Sequence, residues 1–258
     1  LATTTNPPCT LAVLDELQGG AVVDCGAASM VVRTWMQVTE ISSGYASNCA
    51  IDGGGAVRCW GTDGFGQASP PSGVFTQISV GVYHACGIEL GGSVLCWGND
   101  NYGQVSGAPS GTFTQISAGR QFTCGIDGVG AVQCWGQDGF GQVSGVPSGT
   151  FTQISAGGYH ACGIDSVGAA QCWGRDDSGQ VSGVAGGPFI QISLGTLHTC
   201  VLDGGGAVQC WGDNFYLVTS PPSGIFSQIS SGGLHTCGID SASIVQCWGA
   251  ANSGQSAP

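Results

Sequence analysis

The stretch FTQISAGGYHACGIDSVGAAQCWG, residues 151–174, holds two cysteines ten positions apart, Cys162 and Cys172, with His160 two places before the first and Trp173-Gly174 directly after the second. One copy fits a zinc site, since His, Cys and Cys are good ligands, and it fits a disulfide or a redox pair equally well. The rest of the chain narrows the choice by repeating the motif. CWG recurs at Cys59, Cys96, Cys134, Cys172, Cys210 and Cys247, in steps of 37, 38, 38, 38 and 37 residues. Residues 113–150 align with 151–188 at 26 identities in 38 without a gap, the mark of duplication.

Each unit reads as three short apolar runs between turn residues. FTQIS, at Phe113–Ser117 and Phe151–Ser155 with variants from Phe75, Phe189 and Phe226, alternates with period two and predicts a strand. HACGID and AVQCWG follow, separated by a three-residue tip such as Gly204-Gly205-Gly206 that suits a tight hairpin. The glycine-rich run after CWG reads as a long loop with room for a fourth short strand. No segment combines helical periodicity with caps, so the chain is expected to be all-β. Periods near 40 with a few strands each indicate propeller blades, because one small sheet buries its faces only when neighbours stack around a ring.

CWG counts six blades, and CTLAVLDELQGGAVVDCG, residues 9–26, is a stretched copy of the same hairpin that makes a seventh. The expectation is a single seven-bladed β-propeller domain over residues 1–258, with a degenerate first blade at 1–33 and ring closure between the N- and C-termini. Across that seam the cysteine-to-cysteine spacing falls about eight residues short of the period, which predicts a first blade lacking its FTQIS strand. Either LATTTNPP at the N-terminus fills part of the position, or a strand from another molecule does.

The motifs G-x-x-H-[TA]-C and G-x-V-x-C-W-G, with Gly66-Gln67, Gly103-Gln104, Gly141-Gln142, Gly179-Gln180 and Gly254-Gln255, resemble the regulator of chromosome condensation repeat in a cysteine-bearing secreted form. The resemblance spans essentially the whole chain and departs in the first unit and at Asp213–Ser220. It implies a seven-bladed propeller. Its members include a nuclear exchange factor, an ultraviolet receptor and a secreted inhibitor that binds partners with the loops of one ring face, and the fold does not choose among them. Arg33, Arg58, Arg120 and Arg175 look scattered, which does not suit the receptor's chromophore clusters.

The internal copies behave as a mutation series. The histidine position holds His84, His160, His198 and His235, but Pro7, Ser47 and Phe122 in the other units, whereas every cysteine pair persists. The pair is therefore the unit, which disfavours a metal ion and leaves no cofactor expected. Across a three-residue tip the two cysteines fall opposite each other. One disulfide per blade is thus expected, with candidate partners Cys9 and Cys25, Cys49 and Cys59, Cys86 and Cys96, Cys124 and Cys134, Cys162 and Cys172, Cys200 and Cys210, and Cys237 and Cys247. A bond between neighbouring blades is the competing arrangement. The histidines are expected to bond backbone within their own sheet and the CWG tryptophans to pack between blades. Asp52, Asp127, Asp165, Asp203 and Asp240 are expected to fix the hairpin turns, with calcium binding as the weaker alternative.

The chain has four Arg, no Lys and a formal net charge of −12, which argues against nucleic acid or anionic lipid as partner. No apolar run approaches the roughly 18 residues of a membrane span, so no membrane insertion is expected. Fourteen cysteines and a start at Leu1 suit a mature extracellular chain, secreted or at the cell surface.

Function should sit where the copies differ. The loops TDGFGQ, NDNYGQ, QDGFGQ, RDDSGQ and DNFYLV place Phe65, Tyr102, Phe140, Phe215 and Tyr216 as candidate binding residues, aromatic anchors in a polar surround. No catalytic motif is present, and Glu16, Glu40 and Glu89, which break the repeat pattern, are isolated in sequence. The expected function is a non-enzymatic extracellular propeller presenting variable loops to a protein or glycan partner. The alternatives are a structural subunit of an extracellular fibre or coat, a homopolymer assembled through the incomplete blade, and an enzyme with acidic residues in the central channel.

Overall fold

The computed structural model describes residues 10–15, 20–24, 29–33, 37–184 and 186–250, with side chains described from residue 37 onward. Its strands form seven three-stranded antiparallel sheets in chain order. The first is β1 (Thr10–Asp15), β2 (Gly20–Asp24) and β3 (Ser29–Arg33); the second is β4 (Val38–Ser43), β5 (Ser47–Asp52) and β6 (Val57–Gly61). Then come β7 (Phe75–Val80), β8 (His84–Glu89) and β9 (Val94–Gly98), followed by β10 (Phe113–Ala118), β11 (Phe122–Asp127) and β12 (Val132–Gly136). The fifth is β13 (Phe151–Ala156), β14 (His160–Asp165) and β15 (Ala170–Gly174); the sixth is β16 (Phe189–Leu194), β17 (His198–Asp203) and β18 (Val208–Gly212). The seventh is β19 (Phe226–Ser231), β20 (His235–Asp240) and β21 (Val245–Gly249). The loops after CWG are turns among the described residues, so the fourth strand for which the sequence left room is not formed there.

In sheets two to seven the HACGID-type strand lies between the other two. Asp165 fixes the hairpin tip as expected: its Oδ1 accepts from Val167 N at 3.0 Å and Ala169 N at 2.9 Å, and Asp52, Asp127, Asp203 and Asp240 do the same. The tip sets the register that pairs Cys162 with Cys172, and the two are disulfide-bonded with Cα atoms 4.0 Å apart. The bonds Cys49–Cys59, Cys86–Cys96, Cys124–Cys134, Cys200–Cys210 and Cys237–Cys247 repeat it, all within hairpins and none between sheets. Cys9 and Cys25 lie outside the described residues.

The FTQIS strands depart from simple alternation. A bulge between Phe151 and Gln153 shifts the register, and so Phe151 and Ile154, three apart, are both buried. Gly163 is required beneath that ring, since a Cβ there would stand 2.6 Å from Phe151 Cδ1. The core lies between sheets rather than within them. At the junction of the fourth and fifth, Phe122, Cys124 and Ile126 pack against Phe151, Ile154, Ala161 and Trp173, and four more junctions repeat this from the second sheet to the seventh.

Side chains also tie sheet to sheet. Gln115 Oε1 accepts from Ile154 N at 2.8 Å and Ser117 Oγ from Ala156 N at 2.9 Å, so two side chains of each FTQIS strand bond the backbone of the next. The CWG tryptophans Trp97, Trp135, Trp173, Trp211 and Trp248 pack between blades as expected, each indole donating to a loop carbonyl of the preceding sheet, as Trp173 Nε1 does to Gln142 O at 3.0 Å. The histidines are a correction. Their partner is a threonine hydroxyl in the next sheet, not backbone of their own: His84 Nε2 is 2.7 Å from Thr123 Oγ1, His160 2.8 Å from Thr199, and His198 3.0 Å from Thr236.

The first sheet follows a different plan. Its β1 and β2 stand in the places of the HACGID and CWG strands, and its third strand, Ser29–Arg33, pairs on the far edge of β2. The sequence reading assigned no strand there, because SMVVR has no counterpart in the repeat. Among the described residues no FTQIS-type strand lies along β1.

Candidate functional site

The registers of β14 with β13 and β15 put the turn before His160 and the loop after Gly174 at one end of the sheet. The Gly-Gln motif fixes the loop residue two places before it. Gln142 Oε1 accepts from Phe140 N at 2.8 Å, and Gln67 and Gln104 hold Phe65 N and Tyr102 N in the same way. Aspartates brace the loops: Asp63 accepts from Ser69 Oγ at 2.6 Å and Ala68 N at 2.7 Å, and those bonds hold its carboxyl below the usual range. The candidate aromatics therefore project from stiff turns.

Phe65 meets Tyr83 of the next sheet edge to face at 5.7 Å, and Phe140 meets Tyr159 identically at 5.7 Å. Arg120, from the sheet between those tyrosines, sets its guanidinium 5.9 Å from the Tyr83 ring and 5.1 Å from the Tyr159 ring, with Nη1 donating to the Tyr159 hydroxyl. Arg175 lies 5.2 Å from Phe140 and 5.3 Å from Tyr159, and its Nε pairs with Asp177 at 2.7 Å. The result is an aromatic–arginine ladder across the second to fifth sheets, on the loop end. Stacked guanidinium groups keep in-plane N–H donors for carbonyl or carboxylate acceptors while the rings offer apolar edges.

Of the candidate residues, Phe65 and Phe140 enter the ladder, at 52% and 44% exposure. Tyr102 is as exposed, but the position facing it in the next sheet is Gln121 rather than tyrosine. Phe215 and Tyr216 form a separate pair, edge to face at 4.8 Å. The sequence reading missed Tyr83, Tyr159, Arg120 and Arg175. Its view of the arginines as scattered is corrected for Arg120 and Arg175, because residues about 38 apart in sequence become neighbours when sheets stand side by side. The usable signal was an aromatic in one loop followed 18 or 19 residues later by tyrosine, as in Phe65 and Tyr83 or Phe140 and Tyr159.

Glu40 and Glu89 line one cavity of about 590 Å³ with Gln77 and Thr114. Burial raises the Glu40 carboxyl, opposed by its bond from Ile78 N. Glu16 lies outside the described residues. Two carboxylates, one spent on backbone and the other accepting from Ser93 Oγ, make no nucleophile–base pair.

The regulator of chromosome condensation (RCC1) repeat matches residues 38–67, 75–104, 113–142, 151–180 and 189–216, more than half of the chain. The chain belongs to this repeat family. Among solved structures, the ectodomain of the Physcomitrella patens receptor kinase CR4 is similar at 30% identity and a TM-score of 0.72 over 83% of this chain, which spans 62% of that ectodomain. The Arabidopsis thaliana receptor kinase ACR4 ectodomain is similar at 25% identity and a TM-score of 0.69, covering 90% of this chain and 92% of that one. Yeast RCC1 (Prp20), solved with Kap60, shares the fold at 14% identity and a TM-score of 0.72, over 83% of this chain and 70% of that one. No individually curated protein matches the chain. In this RCC1-repeat chain the variable ladder is set on a repeated frame of CWG tryptophans, hairpin disulfides and Gly-Gln turns, the last replaced by Leu217-Val218 in the sixth sheet.

Proposed function

We propose that this RCC1-repeat chain is a non-enzymatic, extracellular propeller that captures a protein partner on its loop face, with the first sheet closing the ring as a seventh blade. The observation that carries the reading is the ladder from Phe65 through Tyr83, Arg120 and Tyr159 to Phe140 and Arg175. Aromatic and arginine side chains dominate the energetics of partner surfaces, and these are fixed before binding. Six hairpin disulfides and the likeness to receptor-kinase ectodomains support the location. A glycan is the competing ligand class on the same face.

A photo-crosslinking side chain at Phe65 or Phe140, with a matched one at Phe215, tests the face in the protein's own extracellular fluid. Protein adducts from the first two positions and not the third are expected, and Arg120→Ala removes them without loss of the disulfides. Adducts from Phe215 alone would move the site to the other loop. Binding on a glycan array that Phe140→Ala abolishes would replace the protein partner by a sugar.

A further inference from the structure

Arg120 and Arg175 are stacked alike but satisfied differently. The Arg175 guanidinium lies against Phe140 and Tyr159, and its Nε donates to Asp177 at 2.7 Å. The Arg120 guanidinium lies against Tyr83 and Tyr159 and its Nη1 donates to the Tyr159 hydroxyl, but its Nε is buried with no acceptor. Among the described residues the pair of Arg175 with Asp177 is the only ion pair, so Arg120 is an uncompensated cation in a chain of net charge −12. An unpaired buried donor is unfavourable, and more so on a charged group. The equivalent turn position in the next sheet is Gly158, which has no side chain to lie across the guanidinium.

We infer that Arg120 is the anchor for a carboxylate of the protein partner, an Asp or Glu side chain standing among apolar residues. The inference rests on the reading of the ladder as the partner surface. Asp177 on Arg175 shows the pairing within the molecule, a carboxylate on a stacked guanidinium. The partner's acid does the same for Arg120 from the Nη2 side, since Nη1 is committed to Tyr159. Nε–H and Nη2–H share one edge of the fork, so an acid seated there gives Nε its acceptor with a tilt of the guanidinium. The Tyr159 hydroxyl, accepting from Nη1, keeps its own proton for the second carboxylate oxygen. The pairs Phe65–Tyr83 and Phe140–Tyr159 flank the anchor and take the apolar neighbours of the acid. Asp63, Asp100, Asp138 and Asp176 brace the loops at the same end and repel a run of acids, so a single carboxylate in a neutral setting is selected.

The probe is a displayed library of random nonapeptides in two versions, one complete and one with Asn and Gln in place of every Asp and Glu. Each is selected on the full oxidised chain, and binders are expected from the complete version alone. Replacing a binder's acid by the matching amide weakens its binding to the parent chain at least about tenfold. The same replacement costs less than about twofold on the Arg120→Met variant, a cycle that reads the pairing itself rather than a loss of folding. Arg175→Met leaves the acid's effect in place, because that guanidinium already holds Asp177. Neutral binders as tight as acidic ones, weakened by Phe65→Ala or Phe140→Ala, overturn the carboxylate and leave the ladder standing as the partner surface. Binders indifferent to all these variants, Arg120→Met included, remove the ladder itself. An acid effect that vanishes with Arg175→Met and persists with Arg120→Met overturns the assignment to Arg120, as does the absence of any acid-dependent binder.

Discussion

Ile154 and Ile41 hold the same position in strands of the same type three repeats apart, yet one is 3% exposed and the other 63%. Their local sequences, QIS and EIS, are nearly the same, and both lie in three-stranded sheets of the same register. The difference is the neighbour. Ile154 faces Phe122, Cys124 and Ile126 of the preceding sheet, whereas the corresponding flank of the second sheet, with Val38 and Trp60, stands well exposed. Burial in this fold is thus a property of a junction, not of a blade. Stability grows with the number of closed junctions, as in other stacked repeats.

The sharpest way to break that comparison is to put a charge at each position. Ile154→Asp buries an unpaired carboxylate and is expected to cost about 4 kcal/mol or more, while Ile41→Asp stays within about 0.5 kcal/mol. Denaturant unfolding of both variants measures this, and equal losses would mean that the second sheet's flank is covered as well.

Acid sharpens the same contrast. Burial lowers His160 to about 3 and His84 and His198 to about 4, so all three are neutral when folded, whereas the unfolded chain takes up protons near 6.5. Their folded-state pKa values lie below the unfolded one, so this stability is fully present above about pH 6.5 and is lost as the pH falls toward the folded values. His160→Phe with Thr199→Ala copies the Phe122–Ala161 contact already present one sheet earlier. It is expected to remove about 3 kcal/mol of the stability lost between pH 6.5 and 4, read from melting temperature against pH. His235, only half-buried and likewise lowered by burial, should give a smaller change when replaced by Phe. A pH dependence untouched by the His160 exchange would assign acid sensitivity to the aspartates instead.

The smallest effect concerns the Gln side chains that bond the backbone of the next FTQIS strand. Gln115→Ala leaves Ile154 N without its acceptor and should cost about 1 kcal/mol, whereas Gln228→Ala, at an exposed position, should be near neutral. Matching losses in unfolding experiments would show that Gln228 already has a strand to hold.

Much of this was legible before any coordinates. The ten-residue spacing of Cys162 and Cys172 and the aspartate at the hairpin tip are local features, and both pairing and turn follow from them. The bulge after Phe151 was not legible, because FTQIS satisfies period two as written and only the need to bury both Phe151 and Ile154 against one neighbour shifts the register. The histidine partners were half legible. His84, His160 and His198 each precede a unit with Thr at the facing position, Thr123, Thr199 and Thr236, whereas Phe122 and Ser47 precede units with Ala161 and Ala85. That covariation marks a junction, but only knowledge of which faces meet gives it meaning.

The sequence by itself determined the repeat, the strand types, the hairpin cysteine pairs and the loops that vary, because each is written within a span of some forty residues. Tertiary structure alone decided that Arg120 bridges Tyr83 and Tyr159, that histidine bonds threonine across a junction, and that Ile154 is buried where Ile41 is not. Those contacts join residues a full repeat apart, and their energies exist only when one sheet is laid against the next.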